Sequence, residues 1–289
     1  MHLIIPNLPK DLLRQCCLST SPACGRPLAL ADIARAAGWG IVNNGFTWYL
    51  LHGLMPEVLA EPLHAKEVLA EYLEGRLLRG FFEAYAPGRP GVVRKLVVLL
   101  ARQSGGILDL EGLARSLGIA RNTVDAYVEM LSDWGVVRLV PAYRSRLPQE
   151  MRKAKKVFFF DNGVRNAVLG NFEPLCRRAD TAALWENFFA NEMAKIHAAR
   201  GDGWTQYFWR TTGLWPRSVD LLEERNGELA AYQLRLQDDE RRLTHGVLFT
   251  RTYPESRLRV VTPLDAWLIW READAQGCAS APASTTQEG

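Results

Sequence analysis

Three residues at the start of a predicted helix, Arg121, Asn122 and Thr123, are of the types that contact nucleic acid. Arginine pairs with guanine edges or phosphates, asparagine pairs with adenine edges, and a threonine hydroxyl can bond to either. Three further arginines follow this helix and could hold a phosphate backbone: Arg138, Arg144 and Arg146. These residues predict nucleic-acid binding, with base contacts at the helix start and backbone contacts after it.

The segments that must position these residues follow the order of a winged helix-turn-helix. A predicted helix over residues 110–117 ends at Gly118, a residue type that commonly terminates helices. A second predicted helix runs from Arg121 to Trp134, and a short hydrophobic strand pair is predicted at residues 136–140. In the second helix, apolar residues at helical spacing are predicted to face the core: Val124, Val128 and Leu131.

Charge is unevenly distributed along the chain and supports an anionic partner only in part. From Arg89 to Lys156 there are 13 Lys and Arg against 6 Asp and Glu, a net charge of +7. On the predicted DNA-facing side, however, Asp125 and Glu129 add negative charge. Ala120 also stands where a capping Ser or Thr would be worth about 1 kcal/mol. Base-specific binding, phosphate-driven binding and docking onto a protein therefore all remain open.

Composition excludes several other classes of protein. The five cysteines are an odd number without CxxC spacing, and no HExxH sequence occurs, which argues against a disulfide framework and a zinc site. No apolar run approaches the roughly 18 residues that a membrane span needs, because Arg94 and Lys95 interrupt the most hydrophobic helix. The N-terminus does not resemble a secretion signal, so we expect a cytoplasmic protein without a membrane partner.

The remaining patterns predict an α+β protein with a mixed sheet. Helical periodicity predicts helices at about residues 28–37, 46–54, 63–84, 92–103 and 183–199. Strand patterns are found at residues 155–161, 205–210, 218–223, 229–236, 246–250 and 258–262. Residues 1–27 are predicted to be irregular, and the Ala-, Ser- and Thr-rich residues 273–289 are predicted to be a disordered tail.

Four stretches together support a family resemblance from about residue 45 to 270. They are YLLHGLMPEV at residues 49–58, YLEGR at 72–76, the predicted helix-turn-helix, and KVFFFDNG at 156–163 followed by LWENF at 184–188. In this order the chain resembles the C-terminal region of bacterial and archaeal ATPases of the AAA superfamily, a region classed as a domain of unknown function. The specific feature is the order and spacing of the stretches, since each alone is weak.

The resemblance implies a nucleotide-binding domain ahead of these stretches, but its signature does not occur in this sequence. There is no GxxxxGK[ST] loop and no Gly-Lys dipeptide, so neither clustered amides nor a lysine are available for the β- and γ-phosphates. We therefore expect no ATP hydrolysis by this chain alone. The implied organisation is a helical segment at residues 1–88, a winged helix-turn-helix at 89–150, a nuclease-like domain at 151–272 and the tail.

The third of these units is similar to the PD-(D/E)xK nuclease fold, in which carboxylates hold Mg²⁺ against a phosphate and a lysine assists. The resemblance places Glu186 at the helix position, Asp220 at the first strand position, and Gln233 and Arg235 at the third motif. Gln233 replaces a carboxylate and Arg235 replaces the lysine. Arginine does not release a proton near neutral pH, so the site is predicted to be degenerate.

These inferences predict a non-catalytic protein that binds nucleic acid or protein. Its expected partners are DNA, another protein or a separately encoded ATPase, and it needs no cofactor. The alternative is a Mg²⁺-dependent nuclease in which Glu186 and Asp220 bind the metal, with Gln233 and Arg235 completing an altered catalytic set.

Overall fold

The computed structural model describes residues 29–37, 39–85, 88–143, 153–236 and 244–275. This part of the chain has an α+β structure containing one two-stranded and one four-stranded sheet. Residues 1–27 lie outside it. The predicted tail lies outside it as well, except that its residues up to 275 belong to the last helix.

Twelve α-helices and six strands are found in the described ranges, together with short 3₁₀ turns at Pro62–His64 and Leu175–Arg177. The helices are α1 Leu30–Ala37, α2 Trp39–His52, α3 Pro56–Ala60, α4 Ala65–Glu71, α5 Arg79–Tyr85, α6 Pro90–Gln103, α7 Leu110–Leu117, α8 Arg121–Asp133, α9 Asn162–Leu169, α10 Thr181–Arg200, α11 Thr244–Thr252 and α12 Ala266–Ala275. The strands are β1 Val137–Pro141, β2 Lys155–Phe159, β3 Thr205–Arg210, β4 Ser218–Arg225, β5 Glu228–Leu234 and β6 Arg257–Val261.

The long helix predicted at residues 63–84 is confirmed, but its middle is wider than an α-helix. Between α4 and α5 the chain forms a π-helical segment, Tyr72–Leu78. Four of its side chains are buried: Tyr72, Leu73, Leu77 and Leu78. Tyr72 and Leu77 are five residues apart, and so are Leu73 and Leu78. A π-helix has more residues per turn than an α-helix, so this spacing keeps both pairs on one buried face.

The helix pair α7–α8 agrees with the sequence prediction, but residues 137–141 form one strand whose partner comes from residues 155–159. Asp109 caps α7 by accepting a hydrogen bond from the Gly112 amide, and Gly118 ends the helix with φ of 66°. β1 then pairs antiparallel with β2, from Val137 opposite Phe159 to Pro141 opposite Lys155. The strand predicted at residues 155–161 thus exists, and it pairs with β1 in the two-stranded sheet.

The four-stranded sheet has the order β3–β4–β5–β6. Its first three strands are antiparallel and β6 is parallel to β5, which confirms the predicted mixed sheet. α10 and α12 pack on one face, where Phe189 and Trp270 meet and Phe189 contacts Tyr232. On the other face, Phe249 of α11 packs against Trp209 of β3. Both faces of the sheet are therefore covered by helices.

The prediction of a strand at residues 246–250 is wrong, because this segment lies within α11. The run Gly-Val-Leu-Phe-Thr is too short to separate a strand from a buried helix by periodicity. Burial of Gly246, Phe249 and Tyr253 follows helical spacing. The hydroxyls of Thr250 and Thr252 donate to carbonyls one turn earlier, which is a helical hydrogen-bonding pattern.

One buried core runs through all three predicted units, from Leu30 in α1 to Trp270 in α12. It includes Val124 and Val128 of α8, so the predicted inward face of that helix is confirmed. Within the described ranges, the structure contains no helix with the length and apolarity to cross a bilayer.

Candidate functional site

Two carboxylates from separate elements meet beside two cations, near the start of β4 and the end of β5 in the middle of the four-stranded sheet. Lys156 Nζ lies 2.5 Å from Glu186 Oε1, joining β2 to α10. Arg235 Nη1 lies 3.1 Å from Asp220 Oδ2, joining the end of β5 to β4. These four residues are called the four-charge cluster below. Three of them were selected from the sequence, and Lys156 was not.

A β-bulge positions Asp220 within this cluster. The pairing of β3 with β4 shifts register so that Phe208 faces two residues, Asp220 and Leu221. The carboxylate of Asp220 accepts a hydrogen bond of 2.8 Å from the Leu234 amide, beyond the last paired residues of β4 and β5. A bulge re-aims a side chain in this manner, which explains how the carboxylate reaches the end of β5.

Lys156 occupies the space between the two carboxylate-bearing elements. Besides Glu186, its ammonium group donates to the backbone carbonyl of Asp220 at 3.0 Å and lies over the ring of Phe208 at 5.6 Å. The residue is only 8% exposed. Lysine is rarely buried unless it is paired, so its inward position in β2 is a sign of a specific electrostatic role. In a strand, neighbouring residues face opposite sides, so of the adjacent Lys155 and Lys156 one had to point inward; this was the sequence signal for a buried lysine.

Glu186 is the member of the cluster whose ionisation is displaced toward neutral pH. Burial raises the pKa of Glu186 to about 7, against the attraction of Lys156, and the nearby charge of Asp220 raises it further. A carboxyl group in this range exchanges its proton near physiological pH. The cluster is therefore sensitive to pH even though its geometry is that of an ion-paired network.

Gln233 is buried in β5, but its side chain contacts different neighbours. Its amide nitrogen lies 3.5 Å from the carbonyl oxygen of Ser218. Its amide oxygen lies next to Gly246, where a larger residue would collide with Leu258. Gln233 thus packs between β4 and α11, which fits a structural role.

In the four-charge cluster, the hydrogen bonds from Lys156, Arg235 and the Leu234 amide involve one oxygen of each carboxylate, which bears on whether Mg²⁺ could bind there. That ion needs free carboxylate oxygens in near-octahedral geometry. Here Glu186 accepts from Lys156, and Asp220 accepts from Arg235 and from the Leu234 amide. In the described part of the chain, no group of three or more His, Cys, Asp or Glu side chains could hold a metal ion. The cluster is chemically a set of paired charges.

The exposed face of α8 presents the residues that the sequence assigned to base contacts. Arg121 and Asn122 are exposed and Thr123 is half-buried. Arg121 Nε lies 3.1 Å from Glu111 Oε1, a surface ion pair that salt would weaken. Ala120 precedes the helix without a side-chain capping bond, as predicted. The start of α8 is therefore exposed to solvent.

Arg138 does not share that exposure, and its predicted phosphate contact needs correction. Its Nη1 donates to Gln206 at 2.5 Å and its Nη2 donates to Asn191 at 3.2 Å. Its guanidinium lies 5.5 Å from the ring centre of Phe158, and burial lowers the pKa of Arg138 to about 10. Because its donors are used inside the protein, Arg138 ties β1 to α10 and β3. Arg144 and Arg146 lie outside the described residues.

The stretches that support the family resemblance meet in a buried amide network, which sequence reasoning did not anticipate. Asn187 accepts hydrogen bonds from the Phe159 amide and the Ser104 hydroxyl, both at 2.7 Å. It donates to the Phe159 carbonyl at 3.1 Å and to Asn162 at 2.7 Å. Asn162 in turn donates to the Leu50 carbonyl at 2.9 Å. One asparagine therefore links α6, β2 and α10.

Asp161 connects the same region to the loop after α2. Its carboxylate accepts from the Leu54 amide at 2.8 Å and caps α9 through the Val164 amide at 3.1 Å. Burial raises the pKa of Asp161, although these hydrogen bonds oppose the shift. Gly53, with φ of 74°, lies directly against this carboxylate, and Gly163 lies against the carbonyl oxygen of His52. Neither position has space for a side chain, so both glycines are needed for this close approach.

Comparison with known proteins relates the chain to uncharacterised sequences. A family model described as a domain of unknown function (DUF8612) matches residues 43–175. Uncharacterised proteins of Mycobacterium tuberculosis and Mycobacterium bovis are each 27% identical over 145 residues, covering 50% of this chain. The chain spans about a third of the length of these relatives, since the match covers 32% of each. No solved structure matches.

These matches agree with the resemblance to a domain of unknown function. The family match includes the loop containing Gly53, the helix pair α7–α8 and the end of β2 with Asp161. It stops before α10, so it covers Lys156 of the four-charge cluster but not the other three members. The buried amide network crosses this limit, because Asn187 lies beyond it.

Proposed function

We propose that this chain is a non-catalytic nucleic-acid-binding protein built from a winged helix and a degenerate nuclease-like domain. The proposal rests mainly on the open start of α8, where Arg121 and Asn122 are exposed while Val124 and Val128 anchor the opposite face in the core. Arginine and asparagine at this position of a recognition helix suit base edges and phosphates. We also propose that the chain is related to the C-terminal region of AAA-superfamily ATPases.

The four-charge cluster supports the non-catalytic part of this proposal. Both carboxylates at the nuclease-like positions are matched by cations, Glu186 by Lys156 and Asp220 by Arg235. The cluster thus joins β2, α10, β4 and the end of β5 by charge pairing. An ATP-dependent step would need a phosphate-binding loop that these 289 residues do not contain. A separately encoded ATPase remains a candidate partner.

We predict that the chain shifts a labelled DNA duplex at low salt and releases it at moderate salt. Neutralised phosphates release counterions, so log K should fall linearly with log salt. The double substitution Arg144→Ala with Arg146→Ala should reduce that slope by about 2 if both side chains contact phosphates. Arg121→Ala should weaken binding roughly tenfold through loss of a base or phosphate contact. Electrophoretic mobility shift from low to moderate salt measures both effects.

Arg177→Ala provides the matched control, since Arg177 is an exposed arginine in a different part of the fold. It should leave the salt slope unchanged. No shift at low salt would remove the nucleic-acid proposal. Binding to a protein partner would then be favoured, because Asp125 and Glu129 place negative charge on the α8 face.

One observation favours a second candidate, a Mg²⁺-dependent nuclease. Arg235 stands at the position where a lysine is expected, but Lys156 of β2 places an ammonium group beside the same carboxylates. If Mg²⁺ displaced the lysine from Glu186, a carboxylate pair with a nearby lysine would result. We expect no such activity, because each carboxylate is already matched by a cation.

The nuclease candidate is tested by incubating the purified chain with plasmid and short duplexes in Mg²⁺ or Mn²⁺. We expect intact DNA under all these conditions. Cleavage that disappears in Asp220→Ala but persists in Asp265→Ala, a change at an exposed site before α12, would establish the nuclease and overturn the non-catalytic proposal.

A further inference from the structure

The hairpin between β3 and β4 presents two large apolar side chains to solvent. Leu214 is 93% exposed and Trp215 is 87% exposed. Among the large exposed hydrophobic side chains of the described residues, Trp215 is the one aromatic residue. Tryptophan is a residue whose burial dominates binding interfaces, so a fully presented indole is a sign of a ligand.

This hairpin is closed by hydrogen bonds and does not depend on its apolar side chains. The Thr211 amide donates to the Arg217 carbonyl at 2.9 Å, and the Arg217 amide donates to the Thr211 hydroxyl at 2.9 Å. Below them, β3 and β4 remain paired at Arg210 opposite Ser218. The tip is therefore built on a paired stem that holds Trp215 away from the core.

Charge around the tip favours an anionic partner. Residues 205–217, which include all of β3 and the hairpin, contain Arg210 and Arg217 but no Asp or Glu. Both arginines are partly exposed. An exposed indole flanked in sequence by two arginines suits a partner that offers flat aromatic faces on a chain of negative charges. Nucleic acid has this chemistry, and its bases are free to stack on protein only where the strand is unpaired.

We propose that residues 211–217 are a stacking platform for an unpaired nucleic-acid base, with Arg210 and Arg217 contacting the adjacent phosphates. This rests on the proposed nucleic-acid function and deepens it by adding a single-stranded substrate class. Arg217 lies three residues before Asp220, about 10 Å along the strand. The platform therefore precedes Asp220 of the four-charge cluster in the chain, on a different element from the α8 residues proposed to contact duplex DNA.

The test measures binding of a labelled oligothymidine and a labelled duplex by fluorescence anisotropy at low salt. Trp215→Ala should weaken oligothymidine binding roughly 5- to 150-fold, the range for loss of one base–aromatic stack. Trp215→Phe should retain most of the affinity because the ring can still stack. Leu264→Ala, at another exposed apolar residue, is the matched control and should have no effect. Bromodeoxyuridine in the oligonucleotide should photo-crosslink to the hairpin.

Each outcome separates this proposal from the broader function. If the full chain binds DNA but Trp215→Ala binds oligothymidine as tightly, the platform is refuted and the nucleic-acid function stands. If the full chain binds neither probe, both fail. A membrane surface would be the partner instead if the chain co-sediments with phosphatidylcholine vesicles, if Trp215→Ala but not Leu264→Ala abolishes this, and if oligothymidine binding is unchanged. Melting temperatures unchanged by these surface substitutions would show that the variants are folded.

Discussion

Asn187→Ala is expected to lower the free energy of unfolding by about 4 kcal/mol, the largest effect of a single change that we predict. The substitution removes four hydrogen bonds in a site without exposed surface. It leaves the Phe159 amide and the Ser104 hydroxyl buried without this acceptor, and each orphaned group costs about 1–3 kcal/mol, whereas the Phe159 carbonyl still accepts from Asn191. The gain in helix propensity from alanine offsets only a few tenths of this loss.

Urea unfolding measures this effect, with Asn122→Ala as the control. Asn122 is exposed on α8, so the same chemical change there should alter stability by less than about 0.5 kcal/mol. Equal stabilities of the two variants would show that the amide network contributes little. A loss confined to Asn187→Ala would establish that the buried amide network around Asn187 contributes strongly to the free energy of unfolding.

Lys156→Met is expected to lower stability by about 2 kcal/mol at pH 8.5 and by much less at pH 5.5, because pH 8.5 lies about 1.5 units above the pKa of Glu186 and each unit is worth about 1.4 kcal/mol. Burial holds the pKa of Glu186 near 7, above its ordinary value of 4.5. The folded state therefore favours the protonated carboxyl group, and stability falls as pH rises from about 4.5 through 7. Without Lys156 the ionised carboxylate is buried and less well paired, so the penalty appears mainly above the pKa of Glu186.

The matched variant for this prediction is the double substitution Lys156→Met with Glu186→Gln. It removes the carboxylate as well, so the penalty at pH 8.5 should largely disappear. Urea unfolding of the four proteins in this cycle at both pH values gives the coupling between the two side chains. Burial alone would lower the pKa of His197, but hydrogen bonds that its ring donates to the Glu223 and Asp202 carboxylates raise it, and this titration is common to all four proteins. A penalty independent of pH would contradict the assigned ion pair.

Local patterns were sufficient for most of the secondary structure. The apolar positions of α8 repeat every three to four residues, and a glycine with positive φ ends α7 before it. The apolar spacing and the terminal glycine each involve residues within about one helical turn, so a short stretch of sequence is enough to predict them. The segment at residues 246–250 was misassigned because five residues sample too little of either period, and packing of Phe249 on Trp209 decides the outcome.

The candidate site could be predicted only in part. The resemblance selected Glu186, Asp220 and Arg235, and the structure brings them together. It did not select Lys156, since residues 30 positions apart meet only when β2 packs beside α10. For Arg138, the sequence indicated a surface cation, but pairing of β1 with β2 turns it toward Asn191 and Gln206.

The amino-acid sequence alone determined most of the helices and strands and the absence of a phosphate-binding loop, because these depend on residues close together in the chain. Tertiary structure alone decided which charges are paired and which groups accept hydrogen bonds from each described arginine. It also converted scattered Asn and Asp residues into one buried network. The physical reason is that hydrogen bonds and ion pairs depend on distances of about 3 Å between remote segments, which spacing along the chain does not define.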